Sequence, residues 1–165
     1  MTASGAVIRP FEHDDIPALQ AIRQAAFVPV FRSFRTIVGE QIAEIVFADA
    51  DAEQARLLDD ICSGRSADHL LVMTIGSEVV GFVSYRIDAG RRTGEIGLNA
   101  VHPDHAGKGL GTSMYKHVIA QMRDLGLALV TVGTGGDASH AAARRAYEKA
   151  GLGPALPFTQ LYKLL

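Results

Sequence analysis

Residues 99–118 read NAVHPDHAGKGLGTSMYKHV. Glycines recur at Gly107, Gly109 and Gly111, after a strand-like run and before a helical pattern. A strand, a bare loop and a helix start in that order aim several main-chain N–H groups at one place. Those groups lack partners in the first helical turn, and the helix dipole adds positive charge there. Glycine permits φ above zero and lets a bulky anion approach the backbone. This is the physics of a phosphate site, to which Lys108 adds charge and Thr112 and Ser113 add hydroxyls. The same glycines equally suit a tight turn that needs them for geometry alone, so the loop by itself leaves both readings open.

Two nucleotide motifs fit poorly. GKGLGT lacks the four-residue gap of a P-loop and the lysine that follows its second glycine. A dinucleotide fingerprint places its glycines after the first strand and an acid about twenty residues on. Thr131, inside an apolar run, stands at that distance here.

Outward from the loop, GEIGLNAV reads as the strand before it and GTSMYKHVIAQMRDLG as the helix after it. Met114, Val118, Met122 and Leu125 form that helix's core-facing stripe. LALVTVGT is almost wholly apolar, as expected of a strand buried on both faces. DASHAAARRAYEKAGL reads as a helix begun near Asp137 or Ser139 and closed by Gly151, and PFTQLYKLL as a last strand. Upstream, AVIRPF is a first strand. DDIPALQAIRQAAF is an amphipathic helix capped by Asp14 or Asp15, with Pro17 in its first turn. VPVFRSFR reads as an irregular connection. IVGEQIAEIVFADADAEQARLLDDIC reads as one broken helix or two, with the break at residues 49–54. HLLVMTIG and EVVGFVSYRID are two strands about a turn. The whole is α/β: a mixed central sheet with helices on both faces, and one parallel crossover through the central helix.

The 165 residues form one domain, 1–165. Apolar residues make up 48% and charged ones 21%, a globular balance. A net charge of -2 and a pI near 6.3 argue against nucleic acid as a partner. The single cysteine, Cys62, cannot form an internal disulfide and reads as a packed helix residue in a reducing compartment. The N-terminus lacks the pattern of a signal peptide, and the sequence has no apolar run of membrane-spanning length. A cytoplasmic location is expected, with no membrane partner. A homodimer is compatible with the sequence.

GEIGLNAVHPDHAGKGLGTSM resembles the central motif of the GNAT superfamily of acetyl-CoA-dependent N-acetyltransferases. Its usual Gln/Arg-x-x-Gly-x-Gly/Ala loop corresponds to residues 106–111. HAAARRAYEKAGL resembles the later motif, Asn-x-x-Ala followed by Tyr-Glu-Lys-x-Gly-Phe, and VIRPFEHDDIPAL the usual beginning. Ala106 stands for the customary Gln or Arg, His140 for Asn and Leu152 for Phe. The resemblance implies a GNAT-like sheet whose central strands splay to form a coenzyme A cleft. The pyrophosphate then rests on the main chain of Gly107, Lys108, Gly109, Leu110, Gly111 and Thr112, beside Ala106. The pantetheine arm lies along Asn99, Ala100 and Val101, with His140 beside it. Acetyl-CoA is the implied co-substrate, an amine the acceptor, and no metal is called for.

Acetyl transfer to an amine needs a deprotonated nitrogen, a stabilised oxyanion, a proton for the departing thiolate and two substrates held in line. Glu95 matches a glutamate that is catalytic in some members. Strict alternation puts Glu95, Gly97 and Asn99 on one strand face and Ile96, Leu98 and Ala100 on the other. Glu95 lies about 13 Å of strand from Asn99, so water would relay its proton; the plainer alternative is a surface glutamate. Tyr147 matches the family's tyrosine near the coenzyme A sulfur, a phenol able to protonate a thiolate; a tyrosine packed on the sheet is the alternative. Arg144, Arg145 and Lys149 read as a solvated basic face within reach of phosphates. The acceptor is expected to meet residues 27–47, where Phe27, Phe31 and Phe34 could form an apolar wall and Arg32 and Arg35 could bind a carboxylate. The expected function is direct transfer of acetyl from acetyl-CoA to a primary amine of a small molecule or peptide, in a ternary complex. The alternative is a coenzyme A-binding or sensing module without turnover.

Overall fold

The computed structural model describes residues 5–165, so the start of the expected domain, residues 1–4, lies outside the described part. Its elements run β1 (Ala6–Pro10), α1 (Ile16–Val38), α2 (Glu40–Val46), α3 (Ala50–Cys62), β2 (His69–Ile75), β3 (Glu78–Asp88), β4 (Thr93–Val101), α4 (Leu110–Asp124), β5 (Leu129–Val132) and α5 (Ala141–Lys149). The strands form one mixed sheet in chain order. β1 to β4 pair antiparallel, and β5 lies parallel to β4. Parallel neighbours cannot be joined by a tight turn, so α4 spans the crossover.

Alternation along the strands feeds two apolar layers. Val72 and Phe82 point toward Leu19 and Ile22 of α1 and Leu58 of α3. Met73 and Val83 point the other way, toward Met114, Val118 and Met122 of α4 and Tyr147 of α5. Helices therefore cover both faces. Phe82 and Met122 are wholly buried, and truncating either to alanine would cost about 2–5 kcal/mol.

Several local expectations need correction. VPVFRSFR is helix, because α1 runs unbroken to Val38 with Pro29 inside it. Proline removes an intrahelical bond, but neighbours fasten the following turns from outside. Val30 is buried, and the Phe34 ring packs against Phe47 at 5.4 Å and His140 at 5.7 Å. The helix break falls at residues 47–49, ahead of the expected 49–54. Asp49 is the N-cap of α3, with Asp51 and Glu53 in its first turn, where the dipole favours acids. Leu125 is 63% exposed, and Tyr115 takes its place in the core stripe of α4. β5 is the sheet edge, with Leu129 54% exposed. PFTQLYKLL forms no strand, and Phe158 and Leu161 stand about nine-tenths exposed. A strand-like composition marks a segment able to pair; without a neighbour's ladder and packing it confers no strand.

Candidate active site

β4 and β5 pair only from Thr93↔Leu129 to Ile96↔Val132. Beyond that point their ladder stops, and a cavity of about 550 Å³ opens between β4, the loop before α4, and α5. Ala26, Phe27 and Val30 of α1 close it from the other side.

A bulge shapes the β4 wall. Val83 pairs with Asn99 and Tyr85 with Ile96, so Gly97 and Leu98 together oppose Ser84. A Cβ on Gly97 would lie 2.7 Å from the buried Ser84 Oγ, so a larger residue here would force that hydroxyl to turn. The extra residue reverses the alternation. Leu98 and Ala100 pack toward α1 and α3, whereas Ile96 packs toward α4, and Asn99 reaches Tyr115 and Tyr147 there. The expected sharing of one face by Glu95, Gly97 and Asn99 is thus overturned. Glu95 is exposed, opposite Arg86 and Thr131 in the ladder, and is outside the cavity lining.

At the mouth, Gly107 and Gly109 have φ of 76° and 78°. Among the described residues, no main-chain bond uses the N–H groups of residues 107–112; Ser113, donating to the Gly109 carbonyl at 3.0 Å, is the first to be paired. Six consecutive donors at a helix start form a nest for an anion. Ala106, Gly107, Gly109, Leu110, Gly111 and Thr112 line the cavity. The Lys108 ammonium instead donates to the Asp104 carbonyl at 3.1 Å and is outside the lining. Asn99, Ala100, Val101, His140 and Tyr147 line it too, as do Arg145 and Lys149. Arg144 donates to the Gly135 and Asp137 carbonyls at 2.6 and 2.7 Å, so it braces the loop before α5.

Two polar clusters flank the cavity. On the α4–α5 side, the Tyr115 hydroxyl donates to Asn99 Oδ1 at 2.7 Å, and Asn99 Nδ2 donates to the Gly97 carbonyl at 2.8 Å and the Tyr147 oxygen at 3.0 Å. The tyrosine rings lie 4.5 Å apart. Burial pushes the Tyr115 hydroxyl far up from its ordinary pKa, with the neighbouring Tyr147 adding to the rise. Burial also pushes Tyr147 up, opposed chiefly by the hydrogen bond from Asn99. Both phenols are therefore neutral donors near neutral pH.

On the α1 side, Asp137 Oδ2 accepts from Ser33 at 2.7 Å and from the Ser139 hydroxyl, while Oδ1 meets His140 Nδ1 at 2.5 Å. Burial would raise the Asp137 pKa, but the bonds from Ser139, Ser33 and His140 hold it well below the usual carboxylate range. A Cβ on Gly135 would collide with His140 Nδ1 and Asp137 Oδ1, so a larger residue there would displace the His140–Asp137 pair. Arg35 is engaged by Glu40 and Glu44, and Arg32 is exposed.

The Acetyltransferase (GNAT) family model matches residues 33–152. The chain belongs to this family. Solved structures share the fold. A GNAT family acetyltransferase from Brucella melitensis in complex with acetyl-CoA is 20% identical, over 92% of this chain and 91% of that one, with a TM-score of 0.60. The ribosomal-protein-S18-alanine N-acetyltransferase from Escherichia coli is 22% identical over 92% and 79%, with a TM-score of 0.60. The PaiA N-acetyltransferase from Thermoplasma acidophilum, in complex with coenzyme A, is 15% identical over 87% of each chain, with a TM-score of 0.64. No curated protein sequence is matched. Acetyl-CoA is the co-substrate that goes with this family. Among the described residues, no group of three or more His, Cys, Asp or Glu is placed to hold a metal, and no helix is long and apolar enough to cross a membrane.

Sequence reasoning missed Tyr115, Ser33, Asp137's link to α1 and Gly135. Tyr115 was in plain sight, on the same helix face as Gly111, but an aromatic on an apolar stripe gives no sign of the polar partner at its tip. Ser33 and Asp137 lie 104 positions apart, and no local pattern connects them.

Proposed function

We propose that the chain transfers acetyl directly from acetyl-CoA to a primary amine of a small molecule or peptide, within a ternary complex. The observation that carries this reading is the continuous path from the unpaired N–H nest at residues 107–112, along the open edge of β4, to the Tyr147 hydroxyl. The nest suits a diphosphate. The open strand edge suits a peptide-like arm, whose amides replace the missing ladder. His140 and Ala106 flank that arm. A main-chain N–H of residues 99–101 is the donor for the developing oxyanion, and the neutral Tyr147 phenol gives its proton to the departing thiolate.

Glu95 is proposed as a base acting only through water, since it stands outside the cavity and across the sheet from Asn99. The acceptor enters between α1 and β4, against Phe27 and Val30. Calorimetry with acetyl-CoA, ATP and NAD, followed by acetyl transfer to a panel of amino acids, polyamines and N-terminal peptides, tests the reading. Binding of acetyl-CoA alone, with transfer to at least one amine, is expected. Binding without any transfer would favour a coenzyme A-binding module.

A further inference from the structure

We infer that Asn99 is a positioning residue whose side-chain amide fixes the direction of the Tyr147 hydroxyl and keeps its proton free for the cleft. This rests on the proposed role of Tyr147 as the acid.

Chemistry fixes which end of the amide is which. The Gly97 carbonyl can only accept, so the amide atom 2.8 Å from it is the nitrogen. The same nitrogen lies 3.0 Å from the Tyr147 oxygen. An amide nitrogen only donates, so Tyr147 accepts that bond and does not spend its own proton on it. The one other amide atom within reach is Oδ1, at 3.4 Å. Oδ1 already receives the Tyr115 hydroxyl at 2.7 Å, the shorter and stronger bond. An amide oxygen can accept two bonds, but 3.4 Å lies beyond the ordinary O–H···O range, so Oδ1 is anchored by Tyr115 and holds the Tyr147 hydroxyl only weakly. The Tyr147 proton is left to point into the cavity that Tyr147 lines.

The proton balance follows. An ammonium acceptor must lose two protons to become an amide. One passes to water before the nitrogen attacks the thioester carbon. The second leaves nitrogen as the carbon–sulfur bond breaks. Tyr147 gives its proton to sulfur and is re-protonated by that second proton. Asn99 exchanges no proton; it sets the starting geometry.

The bulge makes this possible. Without the extra residue at Gly97 and Leu98, continued alternation from Ile96 would turn position 99 toward α1, away from both tyrosines.

Two variants that remove one bond each, Asn99→Leu and Tyr115→Phe, test the inference. Tyrosine ring-carbon NMR follows the titration of Tyr147 in each, with Tyr147→Phe assigning the signal. Loss of the Asn99 donor should move the Tyr147 titration upward in Asn99→Leu. With the best amine of the panel, kcat should fall about tenfold in Asn99→Leu and about fivefold in Tyr115→Phe, while the acetyl-CoA Kd stays within about twofold. Tyr115→Phe retains the packed ring, so it remains informative if Asn99→Leu folds poorly. An unmoved Tyr147 titration in Asn99→Leu overturns the inference, as does an unchanged kcat in either variant when Tyr147→Phe is slow. If Tyr147→Phe keeps full kcat, the acid role itself falls and the inference falls with it.

Discussion

On one side of the cleft, Asn99, Tyr115 and Tyr147 share neutral hydrogen bonds within the main apolar layer. On the other, Asp137 gathers Ser33, Ser139 and His140 about a half-buried charge. The neutral cluster joins β4 to α4 and α5, elements already packed together by apolar contact. The charged one joins α1 to the loop before α5. A neutral network is insensitive to pH through the neutral range, which suits a proton donor that must stay loaded. A charged network is stronger per bond, which suits a tie between distant segments, but it depends on the carboxylate staying ionised. In the function proposed above, one wall serves the chemistry and the other closes the cavity.

The sharpest way to break that contrast is Tyr147→Phe. It should lower kcat about a hundredfold while leaving the acetyl-CoA KM within about threefold, measured by steady-state thiol release. A matching rise in KM would make the neutral wall a binding surface. At the mouth shared by both walls, Gly109→Val forces a β-branched residue into φ of 78°, where branched side chains are strained. Calorimetry should show the acetyl-CoA Kd rising at least about tenfold, with the unfolding midpoint only slightly lowered.

On the charged wall, Asp137→Asn should cost about 1–3 kcal/mol at pH 7 by urea unfolding, with kcat changed less than in Tyr147→Phe. The folded carboxyl is held below its ordinary range. Its stabilisation is therefore complete above that range and is lost as pH falls through the folded value. The wild type should lose stability as pH drops below about 4, and the variant should lose less over the same span. The smallest effect is expected of Glu95→Gln: a loss of kcat/KM under about threefold, confined to the acid side of the pH profile. A hundredfold loss would place the base at Glu95 and require a reorganised β4.

Much of this was legible in the chain. Alternation and helical spacing mark β1 to β4, α4 and α5, because each buries a stripe set by its own local period. The glycines at Gly107 and Gly109 mark the anion nest, because positive φ is a local demand that few other residues meet. Tyr147 and Asn99 stand out through the motifs around them. What tertiary structure alone decided is where each side chain points and what it meets. One extra residue at Gly97 turns Asn99 toward the tyrosines and leaves Glu95 outside the cleft, because a strand's period is two and a bulge reverses it. The fastening of Ser33 to Asp137, the helical state of VPVFRSFR and the absence of a strand in PFTQLYKLL depend on partners far along the chain. Local sequence sets what a segment is able to do; only the packed chain determines which neighbour is there to meet it.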